Sequence, residues 1–196
     1  MTVAGWLRSY SAHPDRATAA SNLVALIVAG NGPFYPLYTL ALIGWDNPGA
    51  WLTMLASPFF ALVPALSRNH SCAGRAALPL IGIVNTVWCS TLLGSASAVE
   101  SFLLPCIALA ALLFRSDECR VALLLIGLAI GAQIWLTEFP LVGLMQLSAS
   151  QAASLARLDV ISVATLTGFV ALTLANVLQV QLVAEAAEVL VRDRRK

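Results

Sequence analysis

The sequence predicts an all-α polytopic membrane protein, a six-transmembrane-helix bundle with both termini cytoplasmic and the sixth helix extended into a coiled-coil-like cytoplasmic segment. Three observations predict it. The first is composition: 59% of residues are hydrophobic and 11% charged, whereas an ordinary soluble domain carries about 25% charged residues. The second is six apolar stretches, each the length or nearly the length of the roughly 20 residues that a helix needs to cross a hydrocarbon core about 30 Å thick. The third is charge placement. Arg8 and Arg16 precede the first stretch, Arg68 and Arg75 fall in the second joint, Arg115 and Arg120 in the fourth, and Arg192, Arg194, Arg195 and Lys196 close the chain, leaving only Arg157 elsewhere. An excess of Lys and Arg in short loops marks the cytoplasmic side. Asp46, Glu100, Glu138 and Asp159 line the other face. The expected location is therefore a bacterial inner membrane, with residues 1–16 a cytoplasmic segment, 17–180 the membrane domain and 181–196 a cytoplasmic helix.

Each element has its own signals. The first span runs from about Ala17 to Ile43 and is interrupted by Gly30, Gly32, Pro33 and Pro36; the second runs from Pro48 to Leu66 and contains Pro58 and Pro64. The third is expected over Ala76–Ser95, with Pro79, and the fourth over Val99–Phe114, with Pro105. Membrane helices tolerate such breaks when neighbours re-satisfy the freed carbonyls. The fourth is short and requires a locally thin bilayer or snorkelling of Arg115. The fifth covers Cys119–Phe139. From Pro140 to Arg157 the apolar Leu141, Leu144, Met145 and Leu147, followed by small polar residues, predict a short helix on the membrane surface. The sixth begins at Leu158 and continues past Leu178 through strong helix formers without Gly or Pro. There Val180, Val183, Ala187 and Leu190 follow the 3-4-3 spacing of a coiled-coil seam, with Glu185 and Glu188 beside it, which points to a homodimer. The alternative is an amphipathic tail packed on its own bundle or lying at the membrane interface. No repeat of fixed period and no inverted half-to-half similarity of the transporter kind is evident.

Several function classes lose support at this level. There is no basic stripe with interleaved aromatics, which argues against a nucleic-acid partner. No Ser-His-Asp set, H-E-x-x-H or Gly-rich phosphate loop occurs, so the chain itself is expected to be non-catalytic. Cys72, Cys89, Cys106 and Cys119 show neither C-x-x-C nor metal-ligand spacing and read as reduced apolar fillers, with no metal expected. No signal-peptide core precedes Ala17, so cleavage is not expected. The two histidines, His13 and His70, both near the cytoplasmic edge, supply a pair of axial ligands for one b-type haem as an alternative to a cofactor-free bundle; His13 precedes Pro14, and surface histidines are the simpler reading. Glu138, three residues after Trp135 and two before Pro140, reads as a solvated cap or as a partner for Arg157.

The stretch Gly32-Pro33-Phe34-Tyr35-Pro36-Leu37-Tyr38 in the first span, Leu112-Leu113 before the joint holding Asp117 and Arg120, and Leu136-Thr137-Glu138-Phe139 closing the fifth resemble the six-helix sensor of vibrio-type quorum-sensing histidine kinases that detect α-hydroxyketones. The arrangement also resembles the hexahelical anchors that precede the catalytic domains of some bacterial class III adenylyl cyclases. What the resemblance implies is a ligand-sensing domain in the lipid bilayer, signalling to a downstream cytoplasmic kinase or cyclase domain. None follows Lys196, so the expectation is a fragment or a free-standing relative. The chain departs from the kinase sensors in having no His between Cys106 and Phe114.

Depth identifies the residues that such a ligand would meet. Counting 1.5 Å per residue from each expected edge, Asn31 lies about 21 Å and Cys89 and Gln133 about 20 Å from the cytoplasmic side, while Cys106 and Thr165 lie about 10 Å and 9 Å from the outer side. All five reach one level, flanked by Trp88 and Trp135. Asn31, Tyr35, Trp88, Cys89, Cys106, Gln133 and Thr165 are therefore the expected ligand-binding set, for a small apolar or amphipathic molecule. Asn and Gln also serve as interhelical glue, the reading preferred for Asn85 and Asn176, and Trp135, Trp45 and Trp51 suit an interfacial belt. A small transporter or channel component is the alternative from another class.

Overall fold

A computed structural model describes residues 2–193, with side chains described for Thr2 and for residues 5–176. The described residues are helices, turns and connecting segments, without a strand. A short helix α1 (Val3–Ser11) precedes α2 (Arg16–Asn31) and α3 (Phe34–Ile43); α4 (Ser57–Asn69), α5 (Ser71–Leu93), α6 (Leu103–Leu112), α7 (Cys119–Glu138) and α8 (Ala149–Asp193) follow. Among the described residues five stretches are long and apolar enough to cross a membrane: Arg16–Ile43, Pro48–Asn69, Ser71–Leu93, Ser116–Glu138 and Ala149–Asn176; Val99–Leu112 is a shorter apolar one.

Local chemistry sets the boundaries. Asp15 caps α2 by accepting from the Thr18 amide at 3.2 Å and its hydroxyl at 2.5 Å. The α2/α3 break falls at Gly32-Pro33, where proline has no amide to continue the ladder. A side chain at Gly32 would also collide with Ser57 of α4. Gly74 plays the same part where α5 meets α4: a Cβ there would run into Ser67. Ser67 in turn donates to Asn22 Oδ1 at 3.0 Å, and Asn22 donates to the Ser11 carbonyl at 3.2 Å, so small residues let the helices approach and polar ones join them.

The joints gather at the two ends of the bundle. At one end Asp15, Arg75, Arg115 and Glu118 form one network. At the other, Gln151 donates to the Ile43 carbonyl at 2.8 Å, and the segment after α7 runs along the end of α5, where the Ser95, Leu144 and Met145 amides donate to the Leu141, Thr91 and Leu92 carbonyls at 2.9–3.1 Å. One apolar cluster, centred on Val24, Phe60, Val63, Leu78, Leu113 and Leu174, fills the first end. A second, with Leu40, Ile43, Leu92, Val99, Met145 and Leu155, fills the other.

The structure corrects three expectations. Residues 140–147 form no surface helix; they make an extended strap on α5, because Gly94 (φ +78°) and Gly143 bring two backbones so close that a Cβ on either would meet main-chain atoms at 2.5–2.7 Å. α8 starts at Ala149, well before Leu158, behind a capping box in which Ser148 Oγ accepts from the Gln151 amide and Gln151 Oε1 accepts from the Ser148 amide. α5 starts at Ser71 rather than Ala76, so Arg75 is a buried helical residue, 2% exposed, and not part of a loop. At 45 residues, α8 is about 68 Å long, roughly twice the thickness of a hydrocarbon core. The expected seam positions Val180, Val183, Ala187 and Leu190 lie on it, but their side chains are outside the described residues.

Candidate functional site

A cavity of about 540 Å³ lies between the two apolar clusters. Its wall is built from α2, α3, α4, α5, α6, α8 and the turns at Thr53 and Val99–Phe102. The helix break makes this possible: α2 ends in Asn31 and α3 restarts with Tyr35 and Tyr38, and all three line the space. Across it α5 presents Gly82, Asn85, Thr86 and Cys89, α6 presents Pro105 and Cys106, and α8 presents Leu158, Ser162, Thr165 and Phe169. Most of the lining is apolar, and no Lys, Arg, Asp or Glu is among the lining residues. A pocket of that size with a few polar groups set in apolar walls is the usual form of a small-molecule site.

Of the seven residues expected at the ligand, Asn31, Tyr35, Cys89, Cys106 and Thr165 line this cavity. Trp88 and Gln133 do not. The Trp88 indole donates to the Leu52 carbonyl at 3.0 Å, bracing the Pro48–Met54 turn against α5. Gln133 points along α7 toward Thr137 at 3.5 Å. Among the described residues none from α7 contributes to the wall, since that helix packs outside the ring on α5 and α6. Counting depth places Gln133 at the right level and says nothing about which way it faces. Asn85, read as glue, lines the cavity; its Oδ1 accepts a long contact from Cys89 Sγ at 3.8 Å. His13 and His70 are not among the lining residues: His13 Nδ1 accepts from the Asp15 amide at 3.0 Å, and His70 is exposed between α4 and α5. Glu138 and Arg157 are both exposed.

Directly behind the wall lies a group that sequence reasoning assigned to the outer face. Asp159 is fully buried, its Oδ1 accepting from the Tyr35 hydroxyl at 2.9 Å and its Oδ2 without a partner among the described residues. Tyr35 is held in place edge-on by Phe102, with ring centroids 6.3 Å apart. The signal was present in the Ser148-x-x-Gln151 capping box, which starts the helix early enough to carry Asp159 into the interior.

The opposite end of the bundle holds a second buried charge, fully partnered. Arg75 donates to Glu118 Oε1 at 2.6 Å and to the Leu113 carbonyl at 2.9 Å, lies 3.9 Å from Asp15 Oδ2, and stacks over the Phe114 ring at 5.7 Å. Arg115 reaches Asp15 Oδ1 at 2.7 Å. Burial pushes the Asp15 carboxyl up, but hydrogen bonds from Thr18 and Arg115 and the charge of Arg75 outweigh it and hold the group below its ordinary value. Hydrogen bonding to Asp15 and its charge raise Arg115 in return.

Compared with protein families, curated proteins and solved structures, the chain matches none.

Proposed function

We propose that the chain is a six-span sensor or regulatory anchor of the bacterial inner membrane, with both termini in the cytoplasm. A small, uncharged, amphipathic ligand enters the cavity among α2, α3, α5, α6 and α8, and the change in packing passes along α8 to a cyclase or kinase domain beyond Lys196, within a homodimer. The observation that carries this reading is the cavity: about 540 Å³, apolar in the main, with the amides of Asn31 and Asn85 and the hydroxyl of Ser162 set into its walls. Its lack of lining charge favours a neutral occupant. The network of Asp15, Arg75, Arg115 and Glu118 supports the orientation, because it joins the segment before the first span with the second and fourth joints at one end. A ligand shifts such an equilibrium only by its differential affinity for the two packings.

A cyclase catalytic domain fused behind Lys196 tests both parts, since it finds ATP only if α8 ends in the cytoplasm. The expected result is cyclic AMP output that varies with the dose of medium-chain α-hydroxyketones, and a flat response in Ser162→Trp, whose indole fills the cavity. No output at all, or a dose curve that Ser162→Trp leaves unchanged, overturns the proposal.

A further inference from the structure

A carboxylic acid buried inside a bundle of apolar helices is costly to charge unless it is paired, and residues of this kind mark functional pathways. Asp159 is 0% exposed, and one of its two oxygens has no partner among the described residues. Among the described residues, the groups that face it include no cation. α3 brings Tyr35, with Tyr38 further along the same helix; α5 brings Cys89; the Val99–Phe102 turn brings Glu100, whose own Oε2 is buried without a partner among the described residues. The titratable residues of the remaining neighbours are Cys106 on α6 and Arg16, which begins α2 beside the Asp15 end, while the Ser95–Ser97 turn has none. On α8 itself Arg157 is exposed. Among the described residues Asp159 makes no salt bridge.

Among those residues, the one side chain that hydrogen-bonds this acid also lines the cavity. We propose that Asp159 is a proton-exchange site reached from the cavity, with Tyr35 as the positioning residue that controls it. In the ionised state the Tyr35 hydroxyl donates to Oδ1. When a proton from water in the cavity bonds to the carboxylate, the acid becomes neutral, leaves hydroxide or a buffer base behind, and no longer needs Tyr35, whose hydroxyl is then free to donate into the cavity; release reverses each step. Proton and cavity occupant thus compete or cooperate through one hydroxyl, and linkage makes the effect reciprocal. That coupling rests on the ligand reading above, whereas the proton site does not.

Infrared difference spectroscopy of the full chain in lipid nanodiscs, stepped in pH with no ligand added, tests the site. Labelling with [4-13C]aspartate separates Asp159 from Glu100 without any substitution. The expected result is a label-sensitive protonated-carboxyl C=O band that titrates apart from the exposed aspartates and disappears in Asp159→Asn. Tyr35→Phe keeps the ring and removes a hydrogen bond to the charged form, so the ratio of protonated to ionised Asp159 at neutral pH rises about tenfold. A label-sensitive band that titrates only with the exposed aspartates, or one that persists in Asp159→Asn, overturns the proposal. If the substituted proteins do not fold, the labelled native chain still decides: a band that titrates apart from the exposed aspartates supports the site, and one that titrates only with them overturns it. A silent cyclase fusion beside a positive spectrum removes the ligand reading and leaves the proton site.

Discussion

Arg75 and Asp159 are both buried charged residues on long apolar helices, and their surroundings are opposite. Every side of the Arg75 guanidinium is met: by a carboxylate, by a carbonyl, by an aromatic face and, at longer range, by Asp15. Asp159 has one hydroxyl and one oxygen without a partner among the described residues. A fully satisfied charge fixes one arrangement of the joints around it, and removing a partner leaves an uncompensated ion in a dry place. A half-satisfied acid can change state at little structural cost. The first end of the bundle is therefore a clamp, and the proposed proton exchange falls away from it, beside the cavity.

The sharpest way to break this contrast is Arg75→Ala. It orphans Glu118 and the Leu113 carbonyl together and should destabilise the fold by about 3–5 kcal/mol, read as the loss of thermal unfolding midpoint in detergent. Asp159→Asn keeps the shape and the acceptor for Tyr35, so a loss as large as that of Arg75→Ala would abolish the distinction. Gly143→Ala comes next. Its new methyl meets the main chain of Leu93 and Gly94, and overpacking of this kind costs about 1–3 kcal/mol; protease nicking of the 140–147 strap should increase in step. Asp15→Asn is the smallest, about 0–1 kcal/mol, because Arg115 is largely exposed. Its sign with pH is fixed. The folded-state value for Asp15 is depressed, so its contribution is present above the unfolded value of about 3.9 and is lost as pH falls through the lower folded one. The difference between native and Asp15→Asn unfolding midpoints should accordingly close on acidification.

Much of the architecture was legible. Composition and apolar length locate the long helices, and Gly32-Pro33 marks the break that shapes the cavity, because proline removes a backbone donor whatever surrounds it. Helix starts were less legible. Arg75 and Asp159 looked like loop and boundary residues because hydropathy falls near charges; both lie inside helices, α5 starting at Ser71 and α8 at Ala149 behind its local capping box. Depth along a helix gave a common level for Asn31, Cys89, Cys106 and Thr165, but azimuth depends on which neighbours a helix acquires, and Gln133 on the outlying α7 and Trp88 on the flank of α5 show the consequence. The Tyr35–Asp159 bond joins residues 124 positions apart, and no local pattern encodes it.

One uninterrupted rod carries both Asp159 and the far end of α8 at Asp193. The two are separated by 34 residues, about 51 Å of axis. A pivot of about 5° at the acid would therefore sweep Asp193 through an arc of about 4.5 Å, most of the rise of one helical turn. Leverage of that kind turns a sub-ångström adjustment around a single tyrosine hydroxyl into a displacement of several ångströms at the far end of the helix.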